Sequence, residues 1–271
     1  MADRSTKPLD RDAQSALRTR RGLLRGCLRF GAALGVGALL PRRAEAFGDA
    51  ARLVFAQVRH AGRWDPRPDG LPRLAWEVSR RTTIDTLPTV RPVSLADPEI
   101  FKTPFAVLSS DGAFPALSDA EVAGLRRYLS YGGLLLIDDA SAQKGGSFEQ
   151  SVRAMLAAVL PGAPLKPILR EHVLYKAFYL LDGPSGRLAA TPDLLGIELG
   201  GRLAVIYSGN DLAGALARDS FGAWEYEVVP GGESQRERAI RLGVNLLMYA
   251  MCLDYKEDQV HISFIMKRRR I

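Results

Sequence analysis

Three stretches of this chain place carboxylates and hydroxyls directly behind apolar runs. Ser109, Ser110, Asp111 and Gly112 follow "FAVL". Asp138, Asp139 and Ser141 follow "LLLI", and Ser208, Gly209, Asn210 and Asp211 close "AVIY". A carboxylate in such a place is a candidate general base, metal ligand or ligand contact, because the apolar run carries it from an interior to a rim. The candidate ligand-binding residues are therefore Ser109, Asp111, Asp138, Asp139, Asn210 and Asp211. Successive residues of a strand face opposite ways, so Asp138 and Asp139 do not form a ready carboxylate dyad. Whichever is less exposed needs hydrogen bonds, a cation or a raised pKa, since an unpaired buried carboxylate is costly. The bland alternative for each is a solvated strand end or a turn former.

Other chemistries leave little trace. After residue 46 there is no G-x-S-x-G elbow, no H-E-x-x-H, no C-x-x-C and no P-loop. The three histidines, His60, His172 and His261, show no spacing that supports a catalytic triad or a metal site. Cys252 stands in the apolar "VNLLMYAMCL" and reads as a small buried hydrophobe rather than a nucleophile. No catalytic residue, metal or cofactor is assigned. Arg59, His60, Arg63 and Trp64 are placed to bind an anion or sugar, but "WDPRPDG" is also a rigid-turn sequence. Trp224 and Tyr226 can stack on a ligand or seal the core.

The elements that must position these residues alternate. "RLVFAQV" reads as a strand, and "LPRLAWEVSRRT" as a helix with Pro72 in its first turn. "PFAVLSSDG" is a second strand. "LSDAEVAGLRRYLSYGG" is a helix opened by a capping box, Ser118 with Glu121, and closed by Gly132 and Gly133. "LLLIDD" follows as a strand, then a helix in "SFEQSVRAMLAAVLPG", a hairpin turning at Gly200 and Gly201, a helix in "QRERAIRLGVNLLMYAM" and a last strand "VHISFI". Apolar strands without alternation, joined by helices, imply parallel strands covered on both faces. The fold class is thus α/β, doubly wound, with a mainly parallel sheet.

The net charge of +7 would suggest a polyanionic partner, but 27 of the 37 Lys and Arg and 26 of the 30 Asp and Glu lie after residue 46, so the body is almost neutral. The excess sits in an N-terminal segment that resembles a twin-arginine export signal: Thr19, Arg20, Arg21, Gly22, Leu23, Leu24 and Arg25 match its pattern. A weakly apolar, glycine-rich stretch follows, and Ala44-Glu45-Ala46 has the small-x-small form of a cleavage site. Residues 1–46 are read as the signal and 47–271 as a single α/β domain, periplasmic after cleavage. The stretch from Cys27 to Leu40 is interrupted by Arg29 and is short for a permanent span.

The body also resembles a family. Through "WDPRPDGLPRLAWEVSRRT", "ALSDAEVAGLRRYLSYGGLLLIDD", "VIYSGNDL", "GVNLLMYA" and "DYKEDQVHISFI" it is similar to the bacterial domain-of-unknown-function family four-one-five-nine. That resemblance implies a three-layer, flavodoxin-like sandwich akin to the class I glutamine amidotransferases. Enzymes of that larger group carry a nucleophilic Cys at a strand-to-helix elbow, where this chain has Asp138 and Asp139, so thiolate chemistry is expected to be absent. Relatives associated with von Willebrand-type modules and MoxR-type ATPases imply an envelope partner. The resulting expectation is a non-catalytic binding or accessory protein of the cell envelope. The rival is a carboxylate-based or metal-assisted hydrolase, and a third reading is a structural interaction module using a helix face or the basic tail. For the export signal, Arg20→Lys with Arg21→Lys is expected to leave unprocessed precursor in the cytoplasm, read by fractionation and immunoblotting; normal export of that variant would refute the twin-arginine assignment.

Overall fold

The computed structural model describes residues 52–252; the expected export signal with Arg20 and Arg21, the expected cleavage residues Ala44 and Ala46, and the expected strand "VHISFI" lie outside them. The chain runs β1 (Leu53–Val58), α1 (Gly70–Arg81), β2 (Thr86–Val93), β3 (Phe105–Ser110), α2 (Asp119–Ser130), β4 (Leu134–Asp139), α3 (Ser147–Val159), β5 (Lys166–Pro167), β6 (Leu195–Leu199), β7 (Arg202–Ser208), α4 (Leu212–Leu216) and α5 (Gly232–Met251). Short 3₁₀ turns occupy Pro98–Lys102 and Val173–Lys176.

The strands form one seven-stranded sheet in the order β2-β1-β3-β4-β7-β6-β5. The first five in that order are parallel neighbours, and β6 and β5 are added antiparallel at one edge. The parallel part has the strand sequence of a flavodoxin-like sheet, reversing direction of growth between β1 and β3. Gly200 and Gly201 join β6 to β7 with φ of 59° and 80°, the left-handed conformation that a two-residue hairpin turn requires.

Every residue of β3 and β4 is buried, as parallel strands covered on both faces must be. Alternation along β4 sorts the core into two layers. Leu134 and Leu136 pack with Leu74 and Val78 of α1 and with Leu246 and Leu247 of α5. Leu135 and Ile137 pack with Leu125 and Leu129 of α2 and with Val152 and Leu156 of α3. This is the three-layer sandwich expected, with helices on both sides of the sheet. No helix of the described residues is long and apolar enough to cross a membrane.

Helix α2 begins as its sequence requires. The Ser118 side chain accepts from the Glu121 amide, and the Glu121 carboxylate accepts from the Ser118 amide. Its Gly124 lies against backbone: a Cβ there would stand 1.9 Å from the Leu95 carbonyl oxygen. Gly124→Ala is therefore expected to destabilise the domain by about 1–3 kcal/mol, seen as a lower urea midpoint at unchanged slope.

Candidate functional site

The parallel register sets Ser109 of β3, Asp138 of β4 and Ser208 of β7 in one row, with Ser110 beside Asp139. Asp138 follows Leu134 and Leu136 onto the α1/α5 side of the sheet. There its carboxylate accepts the amides of Leu212 and Ala213, both at 2.8 Å, at the start of α4. These amides have no partner inside the helix, so the carboxylate satisfies donors that burial would otherwise leave unmatched. Burial pushes the Asp138 carboxyl up to about 7; the charges of Asp211 and, less, Asp139 act the same way, against the two amide hydrogen bonds. Ser109 Oγ donates to the Asp138 carbonyl at 2.8 Å, whereas Ser208 Oγ is buried without a hydrogen-bond partner.

Asp139 points to the opposite face. One carboxylate oxygen accepts the Ser141 amide at 2.9 Å, the Ser141 hydroxyl at 2.6 Å and the Ala142 amide at 3.2 Å. The other accepts the Tyr207 hydroxyl at 2.8 Å. The loop entered by "DDAS" is thus wound around its own carboxylate, an Asx turn in which Ala142 takes a φ of 49°. Burial, with the Asp139 charge beside it, raises the Tyr207 hydroxyl far above the usual phenol range and keeps it a donor.

Asp211 sits at the N-cap of α4 in the left-handed region, φ 53° and ψ 65°, and its side chain is wholly buried. It accepts the Gly214 amide at 3.0 Å, Arg67 Nη2 at 2.9 Å, Arg67 Nε at 3.1 and 3.2 Å, and Arg187 Nε. A Cβ at Gly214 would lie 2.3 Å from the Asp211 carboxylate, so only glycine admits this arrangement. Arg67 also donates to the Ala140 carbonyl at 3.1 Å and lies 4.2 Å from the centre of the Tyr226 ring. Burial acts to lower the Arg67 pKa, but the bonds and charge of Asp211 outweigh it and the net shift is upward.

The two remaining candidates are turned aside from this group. Asn210 exchanges hydrogen bonds with Thr191, accepting its amide at 2.8 Å and donating to its carbonyl at 3.0 Å. Asp111 forms an ion pair of 2.6 Å with Arg63 on the β1 side, the more open part of the rim.

A flavodoxin-like sheet offers its usual ligand crevice between β1 and β3. Here side chains occupy it. The His60 ring lies 4.7 Å from that of Phe114. Its Nδ1 accepts the Gly62 amide at 3.0 Å, which assigns the ring proton to Nε2, donating to the Ser109 carbonyl at 3.1 Å. Burial lowers the His60 pKa despite the carbonyl and the charge of Glu121, so the ring is neutral at pH 7.

The structure thus brings Ser109, Asp138, Asp139, Ser208 and Asp211 to one end of the parallel sheet and engages their carboxylates internally. Among the described residues no group of three or more His, Cys, Asp or Glu side chains is placed to hold a metal ion. Arg67, Arg187 and Tyr226 complete the assembly and were not among the candidate site residues. Arg67 sat within a loop read as a rigid turn, and Arg187 carries no local signal of any kind.

Fold and site together define a doubly wound α/β domain whose buried strand-exit carboxylates are bonded within the protein and whose described strand exits carry no thiol. The chain belongs to the family described as Domain of unknown function (DUF4159), which matches residues 54–251. Comparison with curated proteins yields no match.

Because the folded Asp138 carboxyl titrates near 7 rather than near 3.8, its protonated form is the one the fold favours. Its contribution to stability is fully present below the unfolded value and is lost as pH rises toward about 7. Urea unfolding across this window should show wild-type stability falling by about 2–4 kcal/mol relative to Asp138→Asn. The Asn variant, whose amide N–H groups meet a backbone donor, should be the less stable at the acidic end; a constant difference across the window would refute the assignment.

Proposed function

We propose that this chain is an exported, non-catalytic binding or accessory protein of the bacterial cell envelope. It would be periplasmic after cleavage behind Ala46 and act beside envelope or membrane proteins associated with MoxR-type ATPase systems. The observation that carries the non-catalytic part is the engagement of every buried strand-exit carboxylate by the protein's own donors. Asp138 is taken by two amides, Asp139 by the Ser141 turn and Tyr207, and Asp211 by two arginines. A carboxylate that works as base or nucleophile must reach a substrate, and one already holding a helix start or two guanidinium groups can do so only by giving up those bonds. The absence of a cysteine at the β4 exit supports the same conclusion about thiolate chemistry. The export part rests on Thr19 to Arg25 and on Ala44 to Ala46.

Recognition on this reading uses the rim's outward side, where Asp111 and Arg63 are the accessible charged pair. The side chain of Arg63 is 66% exposed and that of Asp111 30%. Their bond is a surface ion pair, worth little to stability. Reversal of both charges, Arg63→Glu with Asp111→Arg, should therefore leave unfolding within about 0.5–1 kcal/mol of wild type while abolishing capture of the envelope partner. Crosslinking in the envelope fraction, with wild type and this variant side by side, reads the outcome. Unchanged partner capture by the Arg63→Glu, Asp111→Arg variant would count against the binding role of the rim, and an unchanged phenotype in a folded Asp138→Asn, Asp139→Asn double variant would count against the hydrolase. Turnover of an ester, phosphoester or glycoside that this double variant abolishes would establish the rival instead.

A further inference from the structure

A second polar assembly lies between α1, α5 and the loop behind α4, apart from the strand exits. The loop is tied to itself: Arg218 and Trp224 form an antiparallel bridge. The Asp219 carboxylate accepts the amides of Phe221 at 2.9 Å and Ala223 at 2.8 Å. This fixes Trp224, and three guanidinium groups gather on its ring: Arg218 at 3.8 Å, Arg236 at 4.3 Å and Arg73 at 5.6 Å from the centroid. Arg73 lies in turn 4.0 Å from the centroid of Trp76, which is 43% exposed.

The negative charge nearby does not match. Glu77 is shared between Arg73 and Arg81, which Glu237 also takes, Glu233 takes Arg236, and the Asp219 carboxylate is held by amides of its own loop. Arg218 donates to the Gly222 carbonyl and has no ion pair among the described residues. Two donors are left over, Arg73 Nε and Arg218 Nε; both atoms are buried and neither has a hydrogen-bond partner. Burial and the repulsion of Arg73 and Arg236 lower the Arg218 pKa, against the weaker pull of Glu77 and Glu233. Stacking alone accounts for the arginines' position on the rings but leaves these N–H groups unmatched, and unmatched buried donors are rare in native proteins.

We propose that Arg73 and Arg218, held on Trp224, bind an oxyanion of the phosphate class. The planar guanidinium fork suits such a group, whose charge offsets the local cationic excess; its entry would part the stacked guanidinium groups enough for their Nε atoms, closed to solvent here, to reach its oxygens. The anion is either free or carried on a small organic molecule, for which the exposed face of Trp76 supplies a flat apolar surface. This site is independent of the strand-exit reading, and its failure leaves that reading untouched.

The test uses the full chain and its tryptophan fluorescence, since two of the three tryptophans, Trp76 and Trp224, lie at the site. Inorganic phosphate and phenyl phosphate are titrated against sodium chloride at matched ionic strength. A saturable change with phosphate beyond that of chloride is expected. Arg73→Gln and Arg218→Gln should each weaken binding about tenfold or more, whereas Arg127→Gln, on the exposed face of α2, should match wild type. Tighter binding of phenyl phosphate would identify an organic carrier, and equal binding the free anion. Arg218→Lys, which keeps the charge without the fork, should also bind more weakly and serves if the glutamine variant fails to fold. No saturable response beyond chloride in the wild type, or undiminished binding by a folded Arg218 variant, would overturn the proposal.

Discussion

The buried Asp211 carboxylate between Arg67 and Arg187 is the contact on which the rim depends. It joins three segments distant in sequence: the loop after β1, the long irregular stretch before β6 and the turn after β7, the last two also held by backbone bonds from Arg187 and Leu188 to Asp211 and Asn210. Inside the protein the charges attract strongly, but each was costly to desolvate, so the arrangement holds only while all three partners are present. A lone buried carboxylate or guanidinium would be worse than an apolar substitute. In its αL conformation Asp211 brings its carboxylate to both arginines and to the Gly214 amide, and a Cβ at position 214 would collide with that carboxylate.

Around that contact the rim closes. Asp138 holds the start of α4 from below, Asp139 winds the following loop on itself, and His60 with Phe114 fills the place where a flavodoxin-like sheet ordinarily admits a ligand. The two carboxylates and the imidazole each have hydrogen-bond partners within the domain, so polarity at these strand exits serves the fold's own bonding. A fold of this kind supports many activities, so the proposed non-catalytic role rests on the arrangement of donors around the carboxylates and not on the architecture.

Much of the architecture was legible because it follows from local rules. The capping box at Ser118 and Glu121 needs only two residues three apart, and the Gly200-Gly201 turn needs only φ above zero. The continuous apolar runs of β3 and β4 could be satisfied only by cover on both faces. Even the divergence of Asp138 and Asp139 was set by the two-residue period of a strand, and the structure sends one to α4 and the other to Tyr207.

What the sequence alone determined, then, was which residues arrive at strand ends and on which face, since periodicity and turn chemistry act within a few residues. Who meets them there was decided only by the tertiary structure. Arg67 and Asp211 stand 144 positions apart, and Asp138 reaches amides 74 and 75 positions away. Such partners are selected by strand order and helix placement, and the burial that makes a carboxylate require them exists only once the sheet is covered on both sides.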